Sequence, residues 1–193
     1  MPGSILLFWI SSRSAWRKAI SASWRSRCAT LLHGPTKTLP LSAATPADFL
    51  SAATPPAAIF VCGQALVTDW QKEFGWPADF IKGGLCMSGL YDMKPARLSK
   101  RSSYIKFTDD MEAAMSTQRQ IEKLRAPIIV TYGTFETPEF QRQSREFAAL
   151  VKAAGKPVEL IEAPNYNHFE MCEALADPYG PNGRAALRLI KSV

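Results

Sequence analysis

The chain has 193 residues, 47% of them hydrophobic and 21% charged, which are typical values for one globular domain with a packed core. No apolar run approaches the roughly 20 residues that a bilayer-spanning helix needs, so no membrane span is expected. The formal net charge is +6. All of the excess positive charge lies in residues 1–47, which hold six basic residues and no acidic one, so the rest of the chain is electrically balanced.

Residues 1–60 are rich in Ser, Ala, Thr, Pro and Arg, and residues 42–58, which are rich in Ala, Pro and Thr, show no period. We therefore expect residues 1–60 to be an irregular basic segment, out of frame or poorly ordered. We expect a folded α/β domain over residues 61–193.

From Gly63 onward, the pattern alternates between helix and strand. A helix is predicted over 64–74, where apolar residues recur at spacings of three and four, and a buried strand over 80–88. Thr108 is a candidate helix N-cap, because three acidic residues follow it in the first turn. A further helical stretch is predicted over 117–124.

The second half of the chain has clearer signals. Pro138 suits a first helical position and Gly155 a helix C-cap, so a long amphipathic helix is expected between them. The predicted elements are strand 127–132, helix 139–154, strand 157–161 and helices 168–175 and 183–190. This alternation with short loops predicts a mostly parallel sheet flanked by helices.

A carboxylate and a histidine follow two consecutive predicted strands. Glu136 comes shortly after strand 127–132, and His168 shortly after strand 157–161. Reactive groups of open parallel sheets lie at the carboxyl ends of the strands, so the two side chains are expected to meet. They would form the acid and base of a Ser-His-Asp/Glu triad, in the chain order that α/β-hydrolases use. Taken singly, a histidine in a polar loop is more often a solvated or capping residue, and a carboxylate such as Glu136 more often one that precedes a helix; it is the pair that favours catalysis.

Three segments resemble motifs of the kynurenine formamidase-like α/β-hydrolases, a group of arylformamidases and carboxylesterases. Residues 133–143 (GTFETPEFQRQ) are similar to their G-x-x-D-[ST]-P-E-F-x-R-Q segment. Residues 167–170 (NHFE) resemble their D-H-F-E segment, and residues 86–92 (CMSGLYD) their S-G-x-Y-D strand end. The resemblance extends from residue 63 to about residue 180 and is restricted to the C-terminal half of such a domain.

The resemblance implies an incomplete α/β-hydrolase fold that lacks the early strands. By position, it makes Glu136 the triad acid, where the family more often has Asp, and His168 the general base. It also implies hydrolysis of small esters or arylformamides without a cofactor. A metal site is not expected, because the four cysteines form no CxxC pair and only His33 and His168 could assist them. Reduced cysteines favour a cytoplasmic location.

The expected serine nucleophile is absent. The family requires G-x-S-x-G on a turn before the helix placed at residue 64, and the chain contains no such motif. Residues 84–88 (GLCMS) come near to it, but Ser88 stands where the second glycine should be. Cys86 is accordingly interpreted as a core cysteine.

A shifted reading frame accounts for the missing motif. If each codon is read one base earlier, Ala codons become compatible with Gly or Ser, Pro codons with Ser, and Thr codons with His or Asp. Residues 42–48 are then compatible with FGGDPGR and residues 51–59 with VSGHSSGGH, which contains the missing motif. We therefore interpret residues 1–60 as an out-of-frame reading of a hydrolase gene, with Pro55 at the nucleophile's codon.

Other interpretations of the N-terminal segment remain open. Residues 1–32 are Arg- and Ser-rich and contain no acidic residue, which is also the composition of a mitochondrial transit peptide, and the chain would then be a non-catalytic pseudoenzyme or binding module. Basic residues interleaved with Trp16 and Trp24 are a weak signal for nucleic-acid binding, which we do not expect. Missing early strands would leave a sheet edge exposed for oligomerisation or aggregation. Whether this chain is an enzyme is left undecided by its sequence.

The substrate is likewise undefined by the sequence. The loop over residues 93–107 carries four basic residues that fit a solvated surface as well as a substrate clamp; these are Lys94, Arg97, Lys100 and Arg101.

Overall fold

A parallel sheet organises the protein. The computed structural model describes residues 4–8, 58–75, 77–79, 81–103 and 107–192, and within them four strands form one sheet in sequence order. The strands are β1 (Ser4–Phe8), β2 (Ile81–Met87), β3 (Ile128–Gly133) and β4 (Val158–Ala163). All three neighbouring pairs are parallel, so the predicted sheet type is confirmed.

Helices connect the strands and cover both faces of the sheet. The α-helices of the described ranges are α1 (Ala58–Val67), α2 (Trp70–Phe74), α3 (Lys94–Leu98), α4 (Asp109–Met115), α5 (Pro138–Ala153), α6 (Glu170–Glu173) and α7 (Pro181–Lys191). Two further segments, Lys100–Ser103 and Thr117–Lys123, form 3-10 helices.

Side chains of β2 and β3 alternate between two apolar cores, as the period of a strand requires. On one face, Cys86 and Val130 pack in a cluster with residues of α1 and α5, including Phe147. On the other face, Leu85 and Ile129 pack against α7. A sheet buried on both faces is the arrangement expected when helices cross over between parallel strands. It leaves the carboxyl ends of the strands as the place for functional side chains.

The ends of two helices confirm the sequence prediction closely. Pro138 is the first residue of α5, and Gly155 follows the helix in the left-handed conformation with φ of 71°. Thr108 precedes α4, and its side chain accepts a hydrogen bond from the backbone N–H of Met111. Proline, glycine and threonine act through their own backbone and side-chain chemistry, so their signals do not depend on distant contacts.

The predicted helix over residues 64–74 is wrong in its extent. Helix α1 begins earlier, at Ala58, and ends at Val67, and a separate helix α2 begins at Trp70. The Asp69 side chain accepts the backbone N–H of Lys72, which caps the new helix and fixes the break.

The predicted helix over residues 168–175 is also shorter than expected. Only Glu170–Glu173 is helical, and His168 lies in the turn before it. The Asn167 side chain accepts the backbone N–H groups of Phe169 and Glu170. In return, the Glu170 carboxylate accepts the N–H of Asn167. This reciprocal capping holds the turn that carries the histidine.

Part of the segment expected to be irregular forms regular structure. Strand β1 lies within residues 1–60 and pairs with β2, and α1 begins three residues before the expected domain boundary. The frame-shift motifs at residues 42–48, most of residues 51–59, and Pro55 lie outside the described residues.

No helix in the described ranges is long and apolar enough to cross a membrane.

Replacing Phe147 by alanine is expected to destabilise the domain by about 3–5 kcal/mol, because truncating a buried phenylalanine leaves a cavity. Phe147 is fully buried, and its ring stacks on Tyr91 with centroids 3.9 Å apart. Urea denaturation followed by tryptophan fluorescence measures the loss. Leu150→Ala on the same helix is the control, since Leu150 is 40% exposed. Equal destabilisation by both substitutions would contradict this packing.

Candidate active site

Glu136 lies in the turn after β3 and its side chain is fully buried. The backbone N–H of Glu136 donates to the Gly133 carbonyl, which closes the turn. Its carboxylate oxygen Oε2 accepts two hydrogen bonds, from the Ser88 hydroxyl and from the Gly133 backbone N–H, each 2.9 Å long. Burying a carboxylate without hydrogen-bond partners costs free energy of folding, so these two donors stabilise Glu136 in its buried position.

His168 lies in the turn after β4. Two hydrogen bonds connect this turn to the turn after β3. The Phe135 N–H donates to the Tyr166 carbonyl, and the Asn165 N–H donates to the Thr134 hydroxyl. The contact leaves no room for a side chain at Gly133, because a Cβ there would lie 2.1 Å from the Tyr166 carbonyl oxygen. Glycine at this strand end therefore allows the two turns to touch.

The structure brings the two predicted site residues together. The Nδ1 atom of His168 lies 2.5 Å from the Oε1 atom of Glu136. The imidazole is 19% exposed and stacks on the ring of Phe140, with centroids 4.3 Å apart. The exposed ring of Phe169 contacts it edge-on. The ring of His168 is thus held by a carboxylate at one nitrogen and by aromatic contacts.

This geometry sets the hydrogen-bonding state of the imidazole. An ionised carboxylate only accepts hydrogen bonds, so the Nδ1 atom of His168 carries a proton and donates it to Glu136. In the neutral ring, Nε2 is then the free acceptor. An imidazole in this state is able to take a proton from a hydroxyl at Nε2, while the adjacent carboxylate stabilises the cation that results. The catalytic roles of Glu136 and His168 remain predictions.

Two supporting residues were not recognised from the sequence. The sequence placed Ser88 in a strand-end motif and in a near-match to the nucleophile motif, but it did not reveal that the Ser88 hydroxyl donates a hydrogen bond to the Glu136 carboxylate. Gln143 is buried in α5, and its side-chain oxygen accepts the backbone N–H groups of Tyr91 and Asp92 at 2.7 and 2.9 Å. These hydrogen bonds connect the segment after β2 to α5, the helix that begins two residues after Glu136. Both residues lie inside the quoted motifs, which were their only available signal.

Cys86 is buried in the core, as expected. Its Sγ atom lies 2.9 Å from that of Cys62 on α1. The hydrogen bond with Cys86, together with burial, raises the pKa of the Cys62 thiol well above its usual value. A buried thiol that stays protonated is a poor nucleophile, which favours a packing role for Cys62.

Arg97, one of the four basic residues of the loop over 93–107, is already paired. Its guanidinium contacts Asp109 and lies 3.1 Å from the Glu112 carboxylate. Arg119 lies 2.6 Å from the same carboxylate, and this hydrogen bond lowers the pKa of Glu112. Arg97 therefore joins α3 to α4 in an ion network, a structural role that accounts for it without a substrate.

Within the described ranges, no group of three or more His, Cys, Asp or Glu side chains is placed to hold a metal ion.

A solved structure shares the arrangement of strands and helices. A crystal structure of a thioesterase candidate from Silicibacter sp. tm1040 superposes with a TM-score of 0.58 at 20% sequence identity. The match covers 72% of this chain and 48% of that one. The chain carries part of an α/β-hydrolase fold. The expected incomplete hydrolase fold is thereby confirmed.

Two curated proteins are similar to this chain in sequence. The kynurenine formamidase of Salmo salar is 28% identical over 134 residues, and that of Danio rerio is 27% identical over 133 residues. Each match covers 62% of this chain but only 45% of the relative. The chain therefore spans less than half the length of the relatives it matches. No protein-family model matches it.

Proposed function

We propose that the chain is the acid–base half of a serine hydrolase that acts on small esters or arylformamides. The observation that carries this proposal is the contact of 2.5 Å between His168 Nδ1 and the buried carboxylate of Glu136. The similarity to two kynurenine formamidases supports the substrate class. The comparisons support a hydrolase relationship, and the residue roles are part of the proposal.

In the intact parent, a serine on the turn before α1 attacks the carbonyl carbon of the substrate. His168 takes the serine proton at Nε2 and later gives it to the leaving group. Glu136 keeps Nδ1 protonated and stabilises the imidazolium. Backbone N–H groups at the serine's turn bind the oxyanion. Water then attacks the acyl-serine, with His168 as the base, and the serine recovers its proton as the acid product leaves. The reaction needs no cofactor, and the location we propose for it is the cytoplasm.

In the chain as written, this reaction lacks its nucleophile. No G-x-S-x-G segment occurs, and Pro55 occupies the codon where a shifted frame places the serine. Helix α1 begins at Ala58, three residues after Pro55, and in hydrolases of this fold the nucleophile stands on the turn directly before a helix. We infer that a reading-frame change truncated the catalytic domain and left the chain inactive.

One observation favours a second function. Strand β1 is drawn from the same segment and pairs with β2 over five residues. An out-of-frame segment has no particular reason to supply a strand to the sheet. The alternative is a non-catalytic pseudoenzyme or binding module, whose N-terminal segment is a real part of the protein.

Activity assays on two proteins test the proposal. One is the chain as written. The other, the frame-restored protein, comes from a gene in which codons 1 to about 60 are read one base earlier. We expect the frame-restored protein to hydrolyse a p-nitrophenyl ester and to be inactivated by a serine-directed fluorophosphonate. We expect the chain as written to show no inhibitor-sensitive turnover. Such turnover in the chain as written would disprove its inactivity.

Sequencing the gene across codons 1–63 separates the two functions. A single-base insertion or deletion near codon 60, relative to homologous genes, supports a damaged hydrolase. An undisturbed frame supports the pseudoenzyme.

A further inference from the structure

Ser88 combines two features that are unusual for a strand-end residue. It is completely buried, and its backbone adopts a left-handed conformation with φ of 51°. Glycine adopts this conformation without steric cost, whereas a residue with a Cβ is strained in it. Retaining serine at a position where glycine would be less strained indicates that its hydroxyl has a use.

The Ser88 hydroxyl forms a hydrogen bond with the Glu136 carboxylate. Ser88 Oγ donates to Glu136 Oε2 at 2.9 Å, and the same oxygen accepts the Gly133 N–H. The opposite oxygen, Oε1, contacts His168. The two carboxylate oxygens therefore have different partners. Oε2 is hydrogen-bonded to residues at the ends of β2 and β3, and Oε1 contacts the histidine.

The backbone explains how the hydroxyl reaches the acid. The Ser88 N–H donates to the Thr131 carbonyl at 2.8 Å, which extends the pairing of β2 with β3 by one residue. The left-handed turn follows directly after this bond. It places Ser88 beside a carboxylate that lies 48 residues later in the chain.

We propose that Ser88 is a positioning residue of the acid–base pair, whose hydroxyl anchors Glu136 Oε2 so that Oε1 holds the Nδ1 proton of His168. The proposal rests on the proposed function, since it assumes that Glu136 and His168 act together. Without the hydroxyl, Oε2 keeps only the Gly133 N–H, and the carboxylate is free to rotate away from the histidine.

The Nδ1 proton of His168 reports on this arrangement in the chain as it exists. A ring proton held by a buried carboxylate exchanges slowly with water and gives a low-field NMR signal. The chain has only two histidines, so His33→Gln assigns the signal to His168. Glu136→Gln is expected to abolish it. Absence of the signal from the unsubstituted chain would count against the proposed function itself, and not only against the role of Ser88.

Two substitutions at Ser88 separate positioning from backbone strain. Ser88→Ala removes the hydroxyl and keeps the strained Cβ, whereas Ser88→Gly removes both. We expect exchange of the Nδ1 proton to accelerate at least about tenfold in each variant, the factor expected when one hydrogen bond to a charged group is lost. We expect thermal unfolding to differ, with Ser88→Gly the more stable of the two.

A purely structural role predicts another result. The exchange rate of the His168 Nδ1 proton would then change only in parallel with the thermal stability of each variant. Ser88→Gly, which removes the backbone strain, would retain the exchange rate of the unsubstituted chain. That result would overturn the proposal. If Ser88→Ala fails to fold, Ser88→Gly decides alone, because glycine is unstrained at a φ of 51°.

Discussion

Replacing His168 by alanine in the frame-restored protein is expected to lower kcat for a p-nitrophenyl ester by on the order of 10⁴- to 10⁶-fold. The substitution removes the only base in contact with Glu136 among the described residues, so the serine would have no group to accept its proton. Steady-state kinetics measure the loss. KM should change little, because proton transfer and not ground-state binding is affected.

Phe169→Ala is a suitable control for this experiment. Phe169 is the next residue, is 66% exposed and contacts the imidazole only by its edge. We expect kcat to stay within about tenfold of the parent value, because the Glu136 contact and the stacking on Phe140 are kept. A His168→Ala variant that also stays within tenfold would show that another group is the base.

The sequence predicted the second half of the fold well because its signals are local. Proline at the start of α5 and the glycine after it define that helix by their own conformational limits. The β-branched residues of β3 identify a buried strand in the same way. Glu136 and His168 could be predicted as a pair because each follows a strand of one parallel sheet.

Elements that depend on a specific contact were missed. The break between α1 and α2 depends on one hydrogen bond from Lys72 to Asp69, which apolar periodicity does not reveal. Strand β1 exists only through its pairing with β2, more than 70 residues away. Ser88 acquires its role from a carboxylate 48 residues later. Such residues can be recognised from a single sequence only where a motif already includes them.

Glu136→Gln is expected to lower kcat of the frame-restored protein by about 10⁴-fold without disturbing the fold. The amide has one acceptor atom, and the site has two donors on the Oε2 side, from Ser88 and Gly133. The amide oxygen of the substituted side chain therefore occupies the Oε2 position, where it accepts these two hydrogen bonds. The NH₂ group then occupies the Oε1 position and faces His168. An imidazole facing this donor accepts at Nδ1 and carries its proton on Nε2, the wrong state for a base.

The nitrogen NMR shifts of His168 test this explanation directly. We expect Nδ1 to be protonated in the parent and Nε2 to be protonated in Glu136→Gln, both as neutral rings. Glu136→Asp keeps the charge and should retain the parent's protonated nitrogen. Unchanged shifts in Glu136→Gln, with activity lost, would show that the carboxylate acts only through its charge.

The double variant decides whether the two residues act as one unit. Once His168 is absent, Glu136 has no imidazole to orient, so adding Glu136→Gln to His168→Ala should cost no further activity. The summed single effects would predict a far larger loss. A fully additive result would mean that Glu136 acts on the substrate independently of His168. The 2.5 Å contact between them would then be structural.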